Sequence, residues 1–207
     1  MMGNSVELDS LQDLIRSRRT VRRFLPKAIP PELVIQIIET ATWSPSSHNR
    51  QPWRFLVLAT DDIRIQIVGE MGNRFRQDLL ADGKSENETE QAVQRARERV
   101  LTAPVAIMVC LDTALGDTYP DQRRKFAEYI MGVQSVAMAG CTLLLAAHAA
   151  GLGGVWLCSP LFAPEQVRSV LDLPDEWDPQ GLILLGYPAR IPEARPRQSV
   201  EKVSRFY

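Results

Sequence analysis

Five arginines lie within residues 16–23, near the start of the chain. Guanidinium groups bind phosphate through paired hydrogen bonds, and the hydroxyl of Thr20 adds another donor. The run therefore predicts an anion-binding segment, and a phosphorylated cofactor is a suitable ligand. The alternatives are a solvated basic loop and a nucleic-acid patch. The net charge of −1 and the absence of aromatic residues among the arginines argue against nucleic acid.

A loop rich in small hydrogen-bonding groups covers residues 44–53. Serine hydroxyls and the amides of Asn49 and Gln51 can meet the heteroatom edge of a planar ring, while Pro45 and Pro52 restrict the backbone. The same composition also suits an ordinary turn. The loop is thus a second candidate ligand contact.

A glycine-rich segment over residues 151–160 is the third candidate, because glycine lets a backbone pass close to a ligand face. It lacks the GxGxxG spacing of a dinucleotide fingerprint. Arg195 and Arg197, in a proline-rich tail that we expect to form an extended arm, offer further positive charge.

Helices alternating with a few buried strands must position these segments. We expect Asp9 or Ser10 to cap a first helix that buries Leu11, Leu14 and Ile15, and Asp61 to cap a third. The polar residues 69–90 contain three glycines and suggest a mobile insertion that helps to cover the substrate. Further helices are predicted over about 30–43, 88–101, 121–150 and 164–171, and strands over 53–59, 105–111, 154–157 and 182–186.

The second half of the long helix, over residues 136–150, is almost entirely small or apolar. A membrane span is one interpretation, but the glycines that follow and the basic residues 123–125 earlier in the same helix argue against it. A central buried helix is favoured, and we expect no membrane association. Its small residues would allow close packing on another helix, including one from a second subunit. His148, in this stretch, is expected to be a packed core histidine.

Composition indicates one ordinary globular domain over residues 1–207, with 45% apolar and 24% charged residues. Cys110, Cys141 and Cys158 lie far apart in apolar surroundings, so we expect buried, reduced thiols and no metal site. The N-terminus has no basic segment followed by an apolar stretch, which predicts a cytoplasmic protein.

In order along the chain, these segments resemble the flavin-dependent nitroreductase family. Arg18, Arg19, Thr20, Val21 and Arg22, followed by Phe24, are similar to the family's Arg-Arg-Ser-x-Arg-x-Phe. Pro45, Ser46, Ser47, Asn49, Gln51, Pro52 and Trp53 are similar to its Pro-Ser-x-x-Asn-x-Gln-Pro-Trp loop. The resemblance implies an α+β fold, with a small central, mostly antiparallel sheet wrapped by helices, a long central helix and a C-terminal arm.

The resemblance also implies a homodimer that binds FMN at the subunit interface, with both chains contacting each flavin. Arg18, Arg19 and Thr20 would hold the phosphate or ribityl end, helped by Arg195 or Arg197. Arg22 would lie at the pyrimidine edge of the ring and is the one residue expected to act in catalysis. Arg99 matches a further basic contact of the family.

The partner subunit would contribute the second part of each site, from the loop that contains Pro45, Ser46, Ser47, Asn49 and Gln51. Backbone from Leu157 through Cys158 to Ser159 would lie beside the redox-active ring nitrogen. Many relatives carry glycine or a Pro-x-Glu-Gly segment there, so the donor to that nitrogen stays open.

The expected activity is electron transfer by a ping-pong mechanism, from NADH or NADPH to a small electron-poor acceptor such as a nitroaromatic or a quinone. Residues 151–186 show a narrower resemblance to the C-terminal flavin domain of the deazaflavin-cofactor glutamate ligase. A dedicated biosynthetic FMN reductase acting on a deazaflavin-cofactor precursor is therefore the alternative. A flavin-free protein that binds phosphate or nucleic acid through residues 16–23 is a third hypothesis.

Overall fold

A four-stranded antiparallel sheet forms the centre of the computed structural model, which describes residues 7–207. Its strands are β1 (Trp53–Val57), β2 (Val105–Asp112), β3 (Gly153–Leu157) and β4 (Trp177–Gly186). Their spatial order is β1-β2-β4-β3, with every neighbouring pair antiparallel. The predicted α+β class and small antiparallel sheet are confirmed.

Helices cover both faces of this sheet. They are α1 (Leu8–Ser17), α2 (Pro31–Ala41), α3 (Asp61–Ala81), α4 (Glu86–Leu101), α5 (Gln122–Ala149), α6 (Pro164–Leu171) and a short α7 (Val200–Val203). Successive side chains of β2 alternate between two apolar clusters, because a strand points its side chains to opposite faces. Ile107 and Val109 face the cluster that includes α2 and α5, whereas Met108 faces the one that includes α3, α4 and α6.

The long helix α5 confirms the predicted 121–150 element, and the Asp121 carboxylate caps it by accepting from the backbone N–H of Arg124 at 3.0 Å. Its buried residues recur at helical spacing and include Val136, Ala139 and Leu143. By length and composition alone, α5 is long and apolar enough to cross a membrane. In this fold 33% of its most apolar stretch is buried. The helix is thus central to the sheet but only partly covered.

Residues 69–90, which we predicted to be a mobile insertion, form the central part of a helical hairpin made by α3 and α4. Gly83 makes the turn with a φ of 80°, and Ser85 and Glu88 form a reciprocal capping box at the start of α4. Gly72 faces Val93 of the opposite helix, where an added Cβ would lie 3.3 Å from the valine methyl. Gly83 therefore serves the turn and Gly72 the close approach of the two helices, whereas Gly69 lies within α3 with open space beside it.

Several predicted boundaries also need correction. Glu7, not Asp9 or Ser10, is the N-cap of α1, and Thr60 rather than Asp61 caps α3, accepting from the N–H of Ile63. The predicted buried face of α1 is exposed, since Leu11 and Ile15 are 44% and 50% accessible.

Strand and cysteine predictions need smaller changes. β1 ends at Val57 and lies at a sheet edge, so its side chains are only partly covered, and β4 begins earlier than predicted, at Trp177. Cys110 is buried, and burial raises the pKa of its thiol to about 12. Cys141 and Cys158 are exposed, contrary to the expectation of buried thiols.

Candidate functional site

The arginine run continues into an extended segment that pairs with the outer edge of β3. Thr20 forms a parallel bridge with Gly154, and the N–H of Val21 donates to the Gly154 carbonyl at 3.0 Å. A Cβ at Gly153 would lie 2.7 Å from the Val21 Cβ, so this close approach requires glycine. The glycine-rich segment therefore anchors the arginines by direct backbone contact.

Arg18 and Arg19 lie at the C-terminal end of α1, beside the last turn of α5. The Arg19 guanidinium donates to the carbonyls of Arg16 and Arg18, which would otherwise lack partners at the helix end. Within residues 7–207, no carboxylate forms an ion pair with Arg18, Arg19 or Arg22. The segment thus carries positive charge without compensation, as expected of an anion site.

Arg22 belongs to a second group of arginines, together with Arg95 and Arg99 of α4. Burial, and then the charges of Arg22 and Arg95, lower the pKa of the Arg99 guanidinium. Arg99, which the sequence predicted as a further basic contact, thus lies close to Arg22, the predicted catalytic residue. Arg95 was missed, although its i,i+4 spacing from Arg99 puts both on one helix face.

The predicted flavin-nitrogen contacts follow β3 on the same sheet edge. Leu157 is half-buried, whereas Cys158 and Ser159 are exposed at the start of a short 3-10 turn. Leu157 is three residues beyond Gly154, or about 10 Å along the strand. One chain therefore brings the arginine segment and residues 157–159 together on one edge.

The loop over residues 44–51 lies elsewhere, against the middle of α5. His48, Asn49 and Gln51 all have left-handed backbone, with φ between 51° and 54°. Such conformations are costly for residues other than glycine and tend to persist where the surroundings fix them. Here Ser46 Oγ accepts from the N–H of Gln51, and the N–H of Ser47 donates to Oγ of Ser135 on α5.

Arg50 fixes the same loop through charge. The Arg50 guanidinium forms ion pairs with Glu128 on α5 and, at 2.5 Å, with Asp117. The Arg50 side chain is only 18% exposed. A cleft of about 250 Å³ adjoins this ion-pair network, with Ser47, Leu111, Tyr119 and Tyr129 among its lining residues. Neither the network nor the cleft was predicted, because its members come from separate parts of the sequence.

The two halves of the candidate site are far apart within one chain. Ser47 of the loop meets α5 at Ser135, and Ser44 at the start of the loop meets Thr142, whereas Ser17 of the arginine run meets His148. Thirteen residues of helix, about 20 Å, separate Ser135 from His148, and six residues, about 9 Å, separate Thr142 from it. Arg195 and Arg197 are exposed on the arm, with no hydrogen bond to the arginine run. One chain therefore does not unite the predicted contacts.

The sheet edge lined by arginines and the constrained serine-amide loop have the charge and the hydrogen-bonding groups that suit an anionic small molecule. The sequence pattern of the nitroreductase family matches residues 15–187, and the chain belongs to this family. The family assignment confirms the predicted resemblance over nearly the whole chain. The narrower likeness to the ligase's flavin domain stays a prediction.

Curated relatives and solved structures agree with this assignment. The chain is 30% identical to an NADH dehydrogenase/NAD(P)H nitroreductase, so named, of Methanothermobacter thermautotrophicus, over 93% of this chain and 84% of the relative. It is 34% identical to 5,6-dimethylbenzimidazole synthase of Rhodospirillum rubrum, over 94% and 88%. A nitroreductase structure from Desulfovibrio desulfuricans in complex with FMN is 28% identical, with a TM-score of 0.73 and 96% of each chain covered.

Replacing Arg50 tests how the strained loop is held. Arg50→Gln should lower the free energy of unfolding by about 1–3 kcal/mol, because it leaves the largely buried Glu128 carboxylate without its partner. Arg74→Gln is a matched control, since Arg74 forms an exposed pair with Asp78 worth about 0.5 kcal/mol or less. Urea denaturation measures both, and equal losses would show that the Arg50 network does not stabilise the loop.

Proposed function

We propose that the protein is an FMN-dependent oxidoreductase that moves two electrons from NADH or NADPH to a small electron-poor acceptor, such as a nitroaromatic or a quinone. The observation that carries this proposal is the uncompensated arginine segment held beside residues 157–159 on one sheet edge. Family membership and the FMN-bound relative support the choice of cofactor. Donor and acceptor would use the same ring face in turn, which gives ping-pong kinetics.

The residues present fit FMN in charge and in shape. Arg18, Arg19 and Thr20 supply donors for the phosphate and ribityl end, and the edge of β3 supplies backbone for the ring. The guanidinium of Arg19 already donates to two carbonyls, which leaves fewer of its N–H groups for phosphate. When bound, FMN supplies the redox chemistry, accepting hydride from the nicotinamide and passing electrons to the acceptor.

Arg22 is the residue we assign to catalysis. At the pyrimidine edge its fixed positive charge stabilises the reduced ring more than the oxidised ring, because reduction adds negative charge there. Arg99, close to Arg22 and partly desolvated, strengthens the same field. The electrostatic repulsion between Arg22 and Arg99 would be partly offset by the negative charge of the reduced ring.

A homodimer completes the site in this proposal. The loop with Pro45, Ser46, Ser47, Asn49 and Gln51 is anchored through Ser47 to Ser135, about 20 Å along α5 from the contact of the arginine run at His148, which fits contact with the partner's flavin. Near this loop, Trp43 is 86% exposed, and Met138 and Cys141 are exposed on α5. This apolar surface favours a second copy of the chain over solvent.

The acceptor and the cellular role are the finer parts of the proposal. The cleft beside Ser47 has room for a small molecule, and its aromatic side chains suit a planar ring. A dedicated biosynthetic reductase, acting on a deazaflavin-cofactor precursor, is the alternative. The similarity to a dimethylbenzimidazole synthase gives weight to a biosynthetic role, although that relative makes a different product. A cytoplasmic location stays a prediction.

The cofactor and donor are tested together by reconstituting the purified protein with FMN, desalting it and titrating it anaerobically with NADH and then NADPH. We expect flavin absorption to remain after desalting and to bleach with at least one donor. Retained flavin that neither donor bleaches would favour a dedicated reductant and the biosynthetic alternative. Complete loss of flavin on desalting would refute the FMN site.

Mixed dimers test whether each site draws on both chains. Two variants are co-expressed with different tags, Arg18→Ala in the arginine run and Asn49→Ala in the loop, and the heterodimer is purified through both tags. If sites are shared, the heterodimer has one intact site and one doubly altered site. It should then retain one tightly bound FMN per dimer, against two in the wild type and weak binding in either variant homodimer. Equal depletion in the heterodimer would place each complete site within one chain.

The role of Arg22 is tested through the flavin midpoint potential. Arg22→Ala should retain some FMN but lower this potential by about 30 mV, the equivalent of about 1.4 kcal/mol for a two-electron couple. Arg23→Ala, the neighbouring arginine outside the predicted set, is the control and should leave the potential unchanged. An unaltered potential in FMN-bound Arg22→Ala would remove the catalytic assignment.

A further inference from the structure

His148 lies beside the proposed phosphate contacts and plays no part in the mechanism described above. It occupies the last turn of α5 and is half-buried, which contradicts the expectation of a packed core histidine. Its Nε2 lies 2.8 Å from Ser17 Oγ, at the end of α1. This hydrogen bond joins the imidazole to the segment that begins with Arg18.

The charges around His148 oppose its protonation in the absence of an anion. Burial, and then the positive charges of Arg18 and Arg19, lower the pKa of the imidazole below its ordinary value. The C-terminal carbonyls of α5 act in the opposite direction, because a helix C-terminus favours a cation. On α1, Asp13 makes no hydrogen bond or ion pair with the imidazole, so no acid compensates the two arginines there.

A phosphate at Arg18 and Arg19 would reverse this balance. It brings up to two negative charges to the C-terminal end of α5, where the helix dipole disfavours an anion. A protonated imidazole at that helix end would attract the phosphate and offset the dipole. Neutral His148 has one N–H group to donate but no charge, so it attracts the phosphate less and leaves the dipole in place.

We propose that His148 is a further phosphate-binding residue of the FMN site, and that its imidazole takes up a proton when the phosphate binds beside Arg18 and Arg19. The proposal rests on the proposed FMN function. The hydrogen bond to Ser17 orients the ring toward the arginine segment. Riboflavin has the same ring as FMN and no phosphate, so its binding would leave His148 neutral. It therefore distinguishes an effect of the ring from an effect of the phosphate.

The sign of the pH dependence follows from proton uptake. A group whose pKa is higher in the complex than in the free protein strengthens binding as pH falls through that interval. The phosphate of FMN, whose second pKa is about 6, weakens binding to arginine at low pH in every variant alike. The ratio of wild-type to His148→Gln association constants isolates the histidine. It should rise up to tenfold between pH 8 and pH 6 for each unit by which binding raises the pKa.

Proton NMR of the imidazole C–H resonances measures the pKa directly in the unaltered protein. The chain has two histidines, and the signal that His148→Gln removes is assigned to His148, which leaves the other signal to His48. The pH titration is repeated for the free protein, with FMN and with riboflavin. We expect the pKa of His148 to rise with FMN and to stay unchanged with riboflavin.

Each outcome of these titrations decides the proposal. A rise with FMN alone, together with the pH-dependent affinity ratio, supports it. An unchanged pKa with FMN bound overturns it while the FMN function stands. An equal rise with riboflavin overturns the phosphate role, since the ring alone then causes the change. Failure of the wild-type protein to bind FMN refutes the proposed function and this inference together.

Discussion

The backbone pairing between the arginine segment and the outer edge of β3 is the contact on which the proposed site depends. An edge strand presents unpaired N–H and C=O groups, and Thr20 and Val21 cover part of that edge. The pairing fixes Thr20 against Gly154 and Val21 against Gly153. Arg22 and Arg18 then take defined positions on either side. A side chain at Gly153 would collide with Val21 and separate the segment, and with it the arginines, from the sheet, whereas one at Gly154 would collide with Leu144 and Leu185.

Collecting like charges on that edge has a consequence for the free protein. Arg22, Arg95 and Arg99 repel one another, and Arg18 and Arg19 disfavour a proton on His148. Arg95, Arg99 and the arginines of residues 16–23 form no ion pair within the described part of the chain. An anionic ligand removes this repulsion, so ligand binding and stability should be linked.

Sequence predicts those parts of the fold and site that depend on local order. The arginine run and the serine-amide loop are contiguous, and β2 and α5 have long, consistent patterns, so all four were predicted. In the hairpin of α3 and α4, the start of α3 and most of α4 were predicted, but the continuation of α3 beyond residue 69 was missed because most residues there face solvent, and the glycines serve a turn and a close contact. The ion pairs of Arg50 join residues that are 67 and 78 positions apart, and no local pattern reports such a contact.

Helix α5 connects the two halves of the proposed site and sets their separation. Ser135 and Glu128 fix the strained loop at one part of the helix, and His148 meets the arginine run at its end. A continuous helix is a rigid spacer of 1.5 Å per residue, so the contacts at Ser135 and His148 stay about 20 Å apart within one chain. In the proposed homodimer, a two-fold symmetric partner would supply the second half of each site with the same spacing in reverse. The partly uncovered apolar stretch of α5 then has a physical reason, since the helix that holds both contacts apart is also the surface on which two chains can meet.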